Sequence, residues 1–381
     1  MKIALVVPGG VDRSGERRVI PALLALLRRL SMLHELHVFA THQEDEPSSW
    51  MLEGARVHNL GLPRTAWRAA NAIVREHRTS PFDVIQSFWA GRHGALAVGA
   101  GAFLRVPSVV HVAGGELAAL KDIRYGGCCS WRGRARERVV LRCATVVSCA
   151  SQPIVDLIAE RGVRAQRLPL GVDLARWPLR APVRRHGDEP ARLVHVASLN
   201  DVKDQPTLLR ALRRLADAGR SFELDIVGED ALGGRIQALA EELGLARLIR
   251  FHGFLTQRAA RPVVEAAHVS VISSRHEAGP LVLLEAAVAG VPTVGTAVGH
   301  VAEWSPDAAL AVPCGEPAAL EAAISSLLDD EDLRLSIAAA AQRNAALEDA
   351  EHTARGFDAI YRRVAAAGTR ARNAASERRS A

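Results

Sequence analysis

Two carboxylates eight residues apart, Glu277 and Glu285, bracket an apolar segment in RHEAGPLVLLEAAVAGVP, residues 275–292. Pro280 suits the first turn of a helix, where its missing N–H would be unpaired in any case. Gly290 suits the residue just past a helix end, with Pro292 two further on. LVLLEAAVA therefore reads as a short helix. Behind Gly279, its N-terminus offers the free amides of Leu281 and Val282 and the positive end of the helix dipole. Phosphate is the expected guest of such an end. Glu277 falls in the loop before the helix, and Glu285 about 7 Å deeper along the axis. Each carboxylate can accept two hydroxyls. Carboxylates flanking an anion-binding helix end suit a diphosphate with sugar hydroxyls on both sides, as in a nucleotide sugar. The spacing alone equally allows two ordinary glutamates, facing solvent or answering the dipole, so the surrounding elements must decide.

Those elements alternate. KIALVVPGG reads as a strand running into Gly9 and Gly10, followed by the helical period of IPALLALLRRLSM and a second strand, ELHVFATH. RVHNLGL, DVIQSFWA, SVVHVAGG and ATVVSCAS supply more strands in the first half. The second half repeats the pattern with ARLVHVASLN, FELDIVGED, LIRFHGF, VSVISS and PTVGTAVG. Strands alternating with helices predict doubly wound parallel sheets. At 381 residues the chain is long for one core, and two such domains are expected to face a central cleft. The expected division is an N-terminal Rossmann-like domain over 1–170, a Pro- and charge-rich linker over 171–190 and a second Rossmann-like domain over 191–350. A helix over 351–368 is expected to pack back toward the first domain. The tail, 369–381, lacks an apolar period and is expected to be disordered.

Composition narrows the classes. Apolar residues make up 49% and charged residues 24%, as in an ordinary soluble protein. No apolar run reaches a membrane span, and the N-terminus reads as a strand, so a cytoplasmic location is the expectation. Cys128, Cys129, Cys143, Cys149 and Cys314 form no CxxC pair, which argues against zinc or a disulfide framework. The net charge of +6 is uneven. Residues 1–170 carry 23 Lys and Arg against 14 Asp and Glu, leaving the first half the basic one. A basic half can meet an anionic membrane or a phosphorylated substrate; biased arginine usage explains it as simply. In WRGRARERVVLRC, Arg134, Arg138 and Arg142 share one face if the segment is helical.

Several motifs, in order, carry a resemblance. EAGPLVLLEAAVAGVPTV resembles the E-x7-E segment of retaining, nucleotide-sugar-dependent glycosyltransferases with the GT-B fold, family 4 or group 1, which includes sucrose synthases and many bacterial mannosyl- and glucosyltransferases. LPLGVDLARW resembles the family's interdomain stretch, with Leu170 in place of its usual asparagine. ASLNDVKDQPTLLRAL resembles the donor-diphosphate loop, with Lys203 at the family's lysine. IVGED resembles the glycine-rich strand end at Gly228, and SVVHVAGGE the loop whose histidine approaches the sugar, here His111.

The resemblance implies a GT-B fold and transfer of a sugar from a nucleoside diphosphate donor to a hydroxyl acceptor with retention. It implies that Lys203 neutralises the leaving diphosphate, that Glu277 contacts the donor sugar, that Glu285 holds the ribose and that His111 lies beside the anomeric carbon. Gly10 would leave room for acceptor and donor. No cofactor is expected beyond the donor substrate. No metal is expected either, since no Asp-x-Asp pair stands at a strand end. The expected partners are the donor, a glycan or lipid-linked acceptor and a peripheral anionic membrane, not nucleic acid. One departure stands out: Ala197 and Ser198 occupy the places of the family's Gly-Arg pair, and Arg275 is a candidate substitute. His300, after Gly299, is a further candidate for reaching the donor. An inactive relative that binds a nucleotide sugar, and a sugar-nucleotide epimerase of the same fold, stay open. A nicotinamide dehydrogenase fits less well, because PGGVDRSGE lacks the G-x-G-x-x-G spacing.

Overall fold

The structure, a computed structural model, describes residues 1–61, 65–186 and 189–380, with the backbone alone described at 65–66 and 369–380. Residues 187–188 of the expected linker, residue 62 of the RVHNLGL run and residue 381 of the expected tail fall outside it. The chain divides into two compact units. One comprises Met1–Ala150, Ile154–Leu170 and Ala350–Ala381; the other comprises Ser151–Pro153 and Gly171–Asp349.

The first unit is built on eight strands: β1 (Lys2–Val7), β2 (Glu35–Ala40), β3 (Ser48–Leu52), β4 (Ala55–Asn59), β5 (Val84–Phe88), β6 (Ser108–Val112), β7 (Val146–Cys149) and β8 (Gln166–Arg167). Their order is β3-β4-β2-β1-β5-β6-β7-β8. Every pairing is parallel except the β3–β4 hairpin. All six residues of β1 and all five of β6 are buried, because helices cover both faces of the parallel sheet. The chain leaves β1 toward β2 on one side and returns at β5 on the other, which puts a topological switch point between β1 and β5. The edge strand β3 was not among the expected strands; the turn at Glu53 and Gly54, both at positive φ, folds it onto β4.

The second unit carries β9 (Ala191–Val196), β10 (Phe222–Val227), β11 (Ile249–Gly253), β12 (Val269–Ile272), β13 (Thr293–Thr296) and β14 (Leu310–Val312). They form one parallel sheet in the order β11-β10-β9-β12-β13-β14. Its switch point lies between β9 and β12.

The connections carry structure of their own. Residues 171–186 are strapped onto the second unit. Val172 and Trp177 are buried in the second unit's core, beside Leu283 and Leu284. Arg180 N–H donates to Val288 O at 2.9 Å. Arg334, 1% exposed, donates to Val183 O at 2.6 Å while pairing with Glu331. The polar composition that suggests a linker is used here to strap the segment down. Past residue 349 the chain returns to the first unit as the helix Ala350–Ser380, placing Phe357, Ile360, Tyr361 and Val364 in that unit's core. That helix is assigned through the tail expected to be disordered, in keeping with the helix propensity of its Ala, Arg and Glu residues.

Candidate functional site

In the second unit the loops after β9 and β12 flank the switch point, where open α/β sheets receive ligands. The first loop carries Lys203, the second Glu277. Asn200 shapes the first: its backbone carbonyl accepts from Lys203 N–H at 3.0 Å, and its side-chain oxygen accepts from the same amide at 3.2 Å. Asp204, at φ 47°, then caps the helix Gln205–Asp217. The second loop is tied to the first by Ser273 Oγ donating to Lys203 O (2.7 Å) and by Arg275 N–H donating to Val202 O (2.8 Å). The result is a direct ion pair. Lys203 Nζ lies 2.5 Å from Glu277 Oε1, which also accepts from Ser274 Oγ at 2.6 Å. The Lys203 and Glu277 side chains are 24% and 16% exposed, so the pair is accessible from one side.

The helix that follows is Leu281–Val288. Pro280 is its N-cap rather than its first helical residue, at φ −67° and ψ 113°, and no side chain caps the end. The amides of Leu281 and Val282 thus open the first turn without an intrahelical acceptor. Beside this turn, a Cβ on Gly299 (φ 47°) would sit 3.0 Å from Pro280 Cδ, so glycine lets the helix Gly299–Trp304 begin against it. Gly279, half-buried, forms the turn with Ala278 and Pro280.

Glu285 is half-buried one turn inside the helix, and its Oε1 accepts from Gln257 Nε2 at 2.8 Å. Burial pushes its carboxyl up to about 7. Ser198 is exposed at the end of β9, and its carbonyl accepts from Gln205 Nε2. A Cβ on Gly228 would lie 2.0 Å from Ala197 O, so only glycine lets the ends of β9 and β10 run this close. Lys203, Glu277, Gly279, Leu281 and Val282 thus share one pair of loops and one helix end. Glu285 lies deeper on that helix, while Ser198 and Gly228 lie on the neighbouring strand ends.

Two histidines are buried in this structure. His111 is fully buried in β6, with Nδ1 3.0 Å from Ser148 Oγ and its ring edge-on to Phe88 and Phe357. Burial alone pushes it down to about 3. It is a neutral residue at the end of a buried strand, its Nε2 without a hydrogen-bond partner among the described residues, and the loop after β6 runs through Ala113, Gly114, Gly115 and the buried Glu116. His300 is likewise 1% exposed, held 3.3 Å from Glu303 Oε2 and packed against Trp304.

Gly10, in the first unit, has φ 80°, and a Cβ there would meet Ile20 at 2.5 Å. Ile20 N–H donates to Gly10 O at 3.0 Å, which closes the 10–20 loop on itself. Glu116 was missed. Its buried carboxylate accepts from the backbone amides of Ala90 (2.9 Å) and Gly114 (2.7 Å), locking the ends of β5 and β6 together. Burial raises its pKa against those hydrogen bonds. A carboxylate directly after Gly-Gly at a strand end was the available signal. Gln257 left no comparable trace, because its partner Glu285 is distant in sequence, and a serine three residues before a glutamate is too common a pattern to single out Ser274.

Two doubly wound parallel sheets, the second with a lysine, a glutamate and an open helix end at its switch point, define the GT-B class. Residues 14–171 match the model of the glycosyl transferase 4-like domain and residues 180–344 that of glycosyl transferases group 1. The D-inositol 3-phosphate glycosyltransferase of Geodermatophilus obscurus is 30% identical over 93% of this chain and 86% of its own. The chain belongs to the group 1 glycosyltransferases. It is also 30% identical to glycogen synthase of Mycobacterium tuberculosis over 77% of the chain, spanning 66% of that relative's length. The fold is that of sucrose-phosphate synthase from Thermosynechococcus elongatus (TM-score 0.80, 20% identity, covering 96% of this chain and 100% of that one). Anabaena HepE in complex with UDP and glucose is a further structural neighbour (TM-score 0.72, 18% identity, 94% and 99% covered).

Proposed function

We propose that the protein transfers a sugar from a nucleoside diphosphate to a hydroxyl acceptor, with retention and without a metal in the chemistry. The observation that carries this reading is the Lys203–Glu277 pair beside the open N-terminus of helix Leu281–Val288. Lys203 and the amides of Leu281 and Val282 receive the diphosphate. Glu277, released from Lys203 when phosphate takes its place, accepts hydroxyls of the donor sugar. Glu285 accepts the ribose hydroxyls. In the reaction, the bond from the anomeric carbon to the phosphate oxygen breaks, and its electron pair leaves with the diphosphate. The acceptor oxygen bonds to that carbon from the same face and gives its proton to the departing phosphate. The charge that grows on the leaving group is what Lys203 and the helix end stabilise. Arg275, whose backbone is bound to the Lys203 loop, is the cation best placed to stand in for the arginine absent at Ser198. A UDP-sugar is the donor class to assay first, since UDP is bound in the Anabaena neighbour. Release of UDP from UDP-sugars, with and without candidate acceptors, tests the reading; no turnover of any nucleotide sugar leaves a binding protein. Turnover is expected to persist in excess EDTA. Complete loss that magnesium or manganese restores would overturn the metal-free part.

We further propose that the acceptor is a glycan or lipid-linked glycan at the cytoplasmic face of an anionic membrane. Among the described residues no helix is long and apolar enough to cross a membrane. The helix Trp131–Cys143, however, exposes Arg132, Arg134, Arg138 and Arg142 together with Trp131 (68%) and Val139 (57%). Basic residues around exposed apolar ones suit an anionic lipid surface, at about 1 kcal/mol per charge. Glu137 is buried and paired with Arg136, so it does not neutralise the exposed face. Vesicles with anionic lipid are expected to sediment the protein at low salt. Changing Arg134, Arg138 and Arg142 to glutamate is expected to leave it in the supernatant; equal partitioning of both proteins would mean a soluble acceptor.

A further inference from the structure

The first unit holds a polar cluster that the transfer reaction does not use. It joins three separate pieces of chain: β2 through Glu35 and His37, β4 through His58, and the helix Thr65–Thr79 through Glu76. His37 Nδ1 faces His58 Nε2 at 2.9 Å and lies 3.7 Å from Glu76 Oε1. The donor atoms of His37, His58 and Glu76 all fall within 4.8 Å of one another. We propose that His37 Nδ1, His58 Nε2 and a carboxylate oxygen of Glu76 bind one divalent transition-metal ion of the zinc class.

The arrangement of protons supports this. Glu35 Oε1 lies 2.9 Å from His37 Nε2, and a carboxylate only accepts, so His37 carries its proton on Nε2. The two facing ring nitrogens, one on each histidine, cannot both be protonated. Lone pairs therefore converge on one point, with a single proton between them for a metal to replace. A carboxylate on the far nitrogen of a ligating histidine is the usual outer partner of a bound metal, fixing tautomer and ring angle. The rings are held in place as well: His58 stacks on Phe39 at 4.8 Å and His37 sits edge-on to Phe82 at 5.6 Å.

Distances and charge agree. Tetrahedral zinc with nitrogen and oxygen ligands needs donor atoms about 3.3 Å apart; the two separations from His37, 2.9 and 3.7 Å, straddle that value, and the His58–Glu76 separation is within 4.8 Å, a gap that rotation of the Glu76 side chain can close. Lys2 is the competing cation, with Nζ 2.6 Å from Glu76 Oε1 and 3.6 Å from Glu35 Oε1. It answers one of the two carboxylates, so with neutral rings the cluster keeps one net negative charge for a dication. Two imidazoles and a carboxylate favour zinc, cobalt or nickel over magnesium or calcium. His58 and Glu76 are half-buried, which gives an ion a way in and leaves a fourth position for water. The bound ion would clip the helix Thr65–Thr79 to the sheet.

Tag-free protein stripped with chelator and titrated with cobalt(II) tests the proposal. The expected result is the visible absorption of low-coordinate cobalt, saturating at one equivalent and abolished by zinc, with a rise of several degrees in the unfolding midpoint on adding zinc. His58→Gln and Glu76→Gln, both at half-buried positions, are expected to remove the absorption and the zinc-dependent rise. Lys2→Met is expected to tighten binding several-fold by removing the competing ammonium. Absence of cobalt absorption in the unaltered protein, or an unchanged titration in His58→Gln, overturns the site and leaves a hydrogen-bonded cluster only. These readouts need no donor or acceptor, so they stand apart from the transfer reaction.

Discussion

Replacing Lys203 by alanine is expected to lower turnover of the nucleotide-sugar donor by roughly 10²–10³-fold, the range found when one pre-positioned donor to a developing anion is removed. The donor's dissociation constant should change far less. In the ground state the charge of the diphosphate is shared among Lys203, the helix amides and water; as the glycosidic bond breaks a further charge builds on its terminal oxygen, and the ammonium meets that charge more strongly than it meets the bound donor. The substitution also strips Glu277 of a partner 2.5 Å away. Part of any loss could therefore come from an unpaired carboxylate in the free protein, and the double variant Lys203→Ala/Glu277→Gln separates the two effects through its interaction energy. Steady-state kinetics with donor titration reads both. Unchanged turnover in Lys203→Ala would mean that another cation, with Arg275 the first candidate, neutralises the leaving group.

Glu285→Gln is expected to stabilise the fold at alkaline pH while weakening the donor. Burial lifts the Glu285 carboxyl to about 7 from an ordinary value of 4.5. Between those values the folded protein holds a proton that the unfolded chain has lost, so stability falls as pH rises through this window. Above about pH 7 the ionised carboxylate costs about 1–3 kcal/mol, because a tenfold change in proton affinity corresponds to about 1.4 kcal/mol and solvent reaches part of this half-buried group. Glutamine keeps the bond from Gln257 and removes the charge. Its unfolding midpoint should exceed the parent's by several degrees at pH 8 and converge with it below about pH 5. Donor affinity runs the other way. An ionised carboxylate accepts two ribose hydroxyls, so the parent's affinity should drop as pH falls below about 7, while the glutamine variant binds roughly 10–100-fold more weakly at pH 8. Thermal unfolding across pH, paired with calorimetric titration of the nucleotide, measures both arms. A variant no more stable at pH 8 than at pH 5, relative to the parent, would show that Glu285 is solvated rather than desolvated.

The site was legible where it is local. Glu277, the helix Leu281–Val288 and its opening at Pro280 follow from punctuation within eighteen residues. Lys203 needed a resemblance, because nothing in ASLNDVKDQ says that its ammonium will cross to a loop seventy-four residues away. The burial of His111 was not legible, for a reason of geometry. In a strand buried on both faces, the two-residue period no longer separates inward from outward, so SVVHV cannot reveal that its histidine points into Phe88 and Phe357. The alternation of strands and helices gave the class of fold, and the matches to the family agree with it. The strapping of residues 171–186 was not legible because proline and arginine mark solvent exposure only on average. Here Arg334 and Glu331, on the helix Glu331–Leu347, bind Val183 and Arg185 directly.

The return of the helix Ala350–Ser380 into the first unit has a consequence for biogenesis. Translation runs from the amino end, yet the first unit's core includes Phe357, Ile360, Tyr361 and Val364. When residue 349 has left the ribosome, the second unit possesses every residue it will ever contain, while the first still has an apolar gap beside Leu23, Leu27 and Phe88. Of the two units, the one whose first strand is made earlier is thus the one completed later. His34 meets Asp358, and Gln86 meets Tyr361, only when the helix Ala350–Ser380 emerges from the exit tunnel.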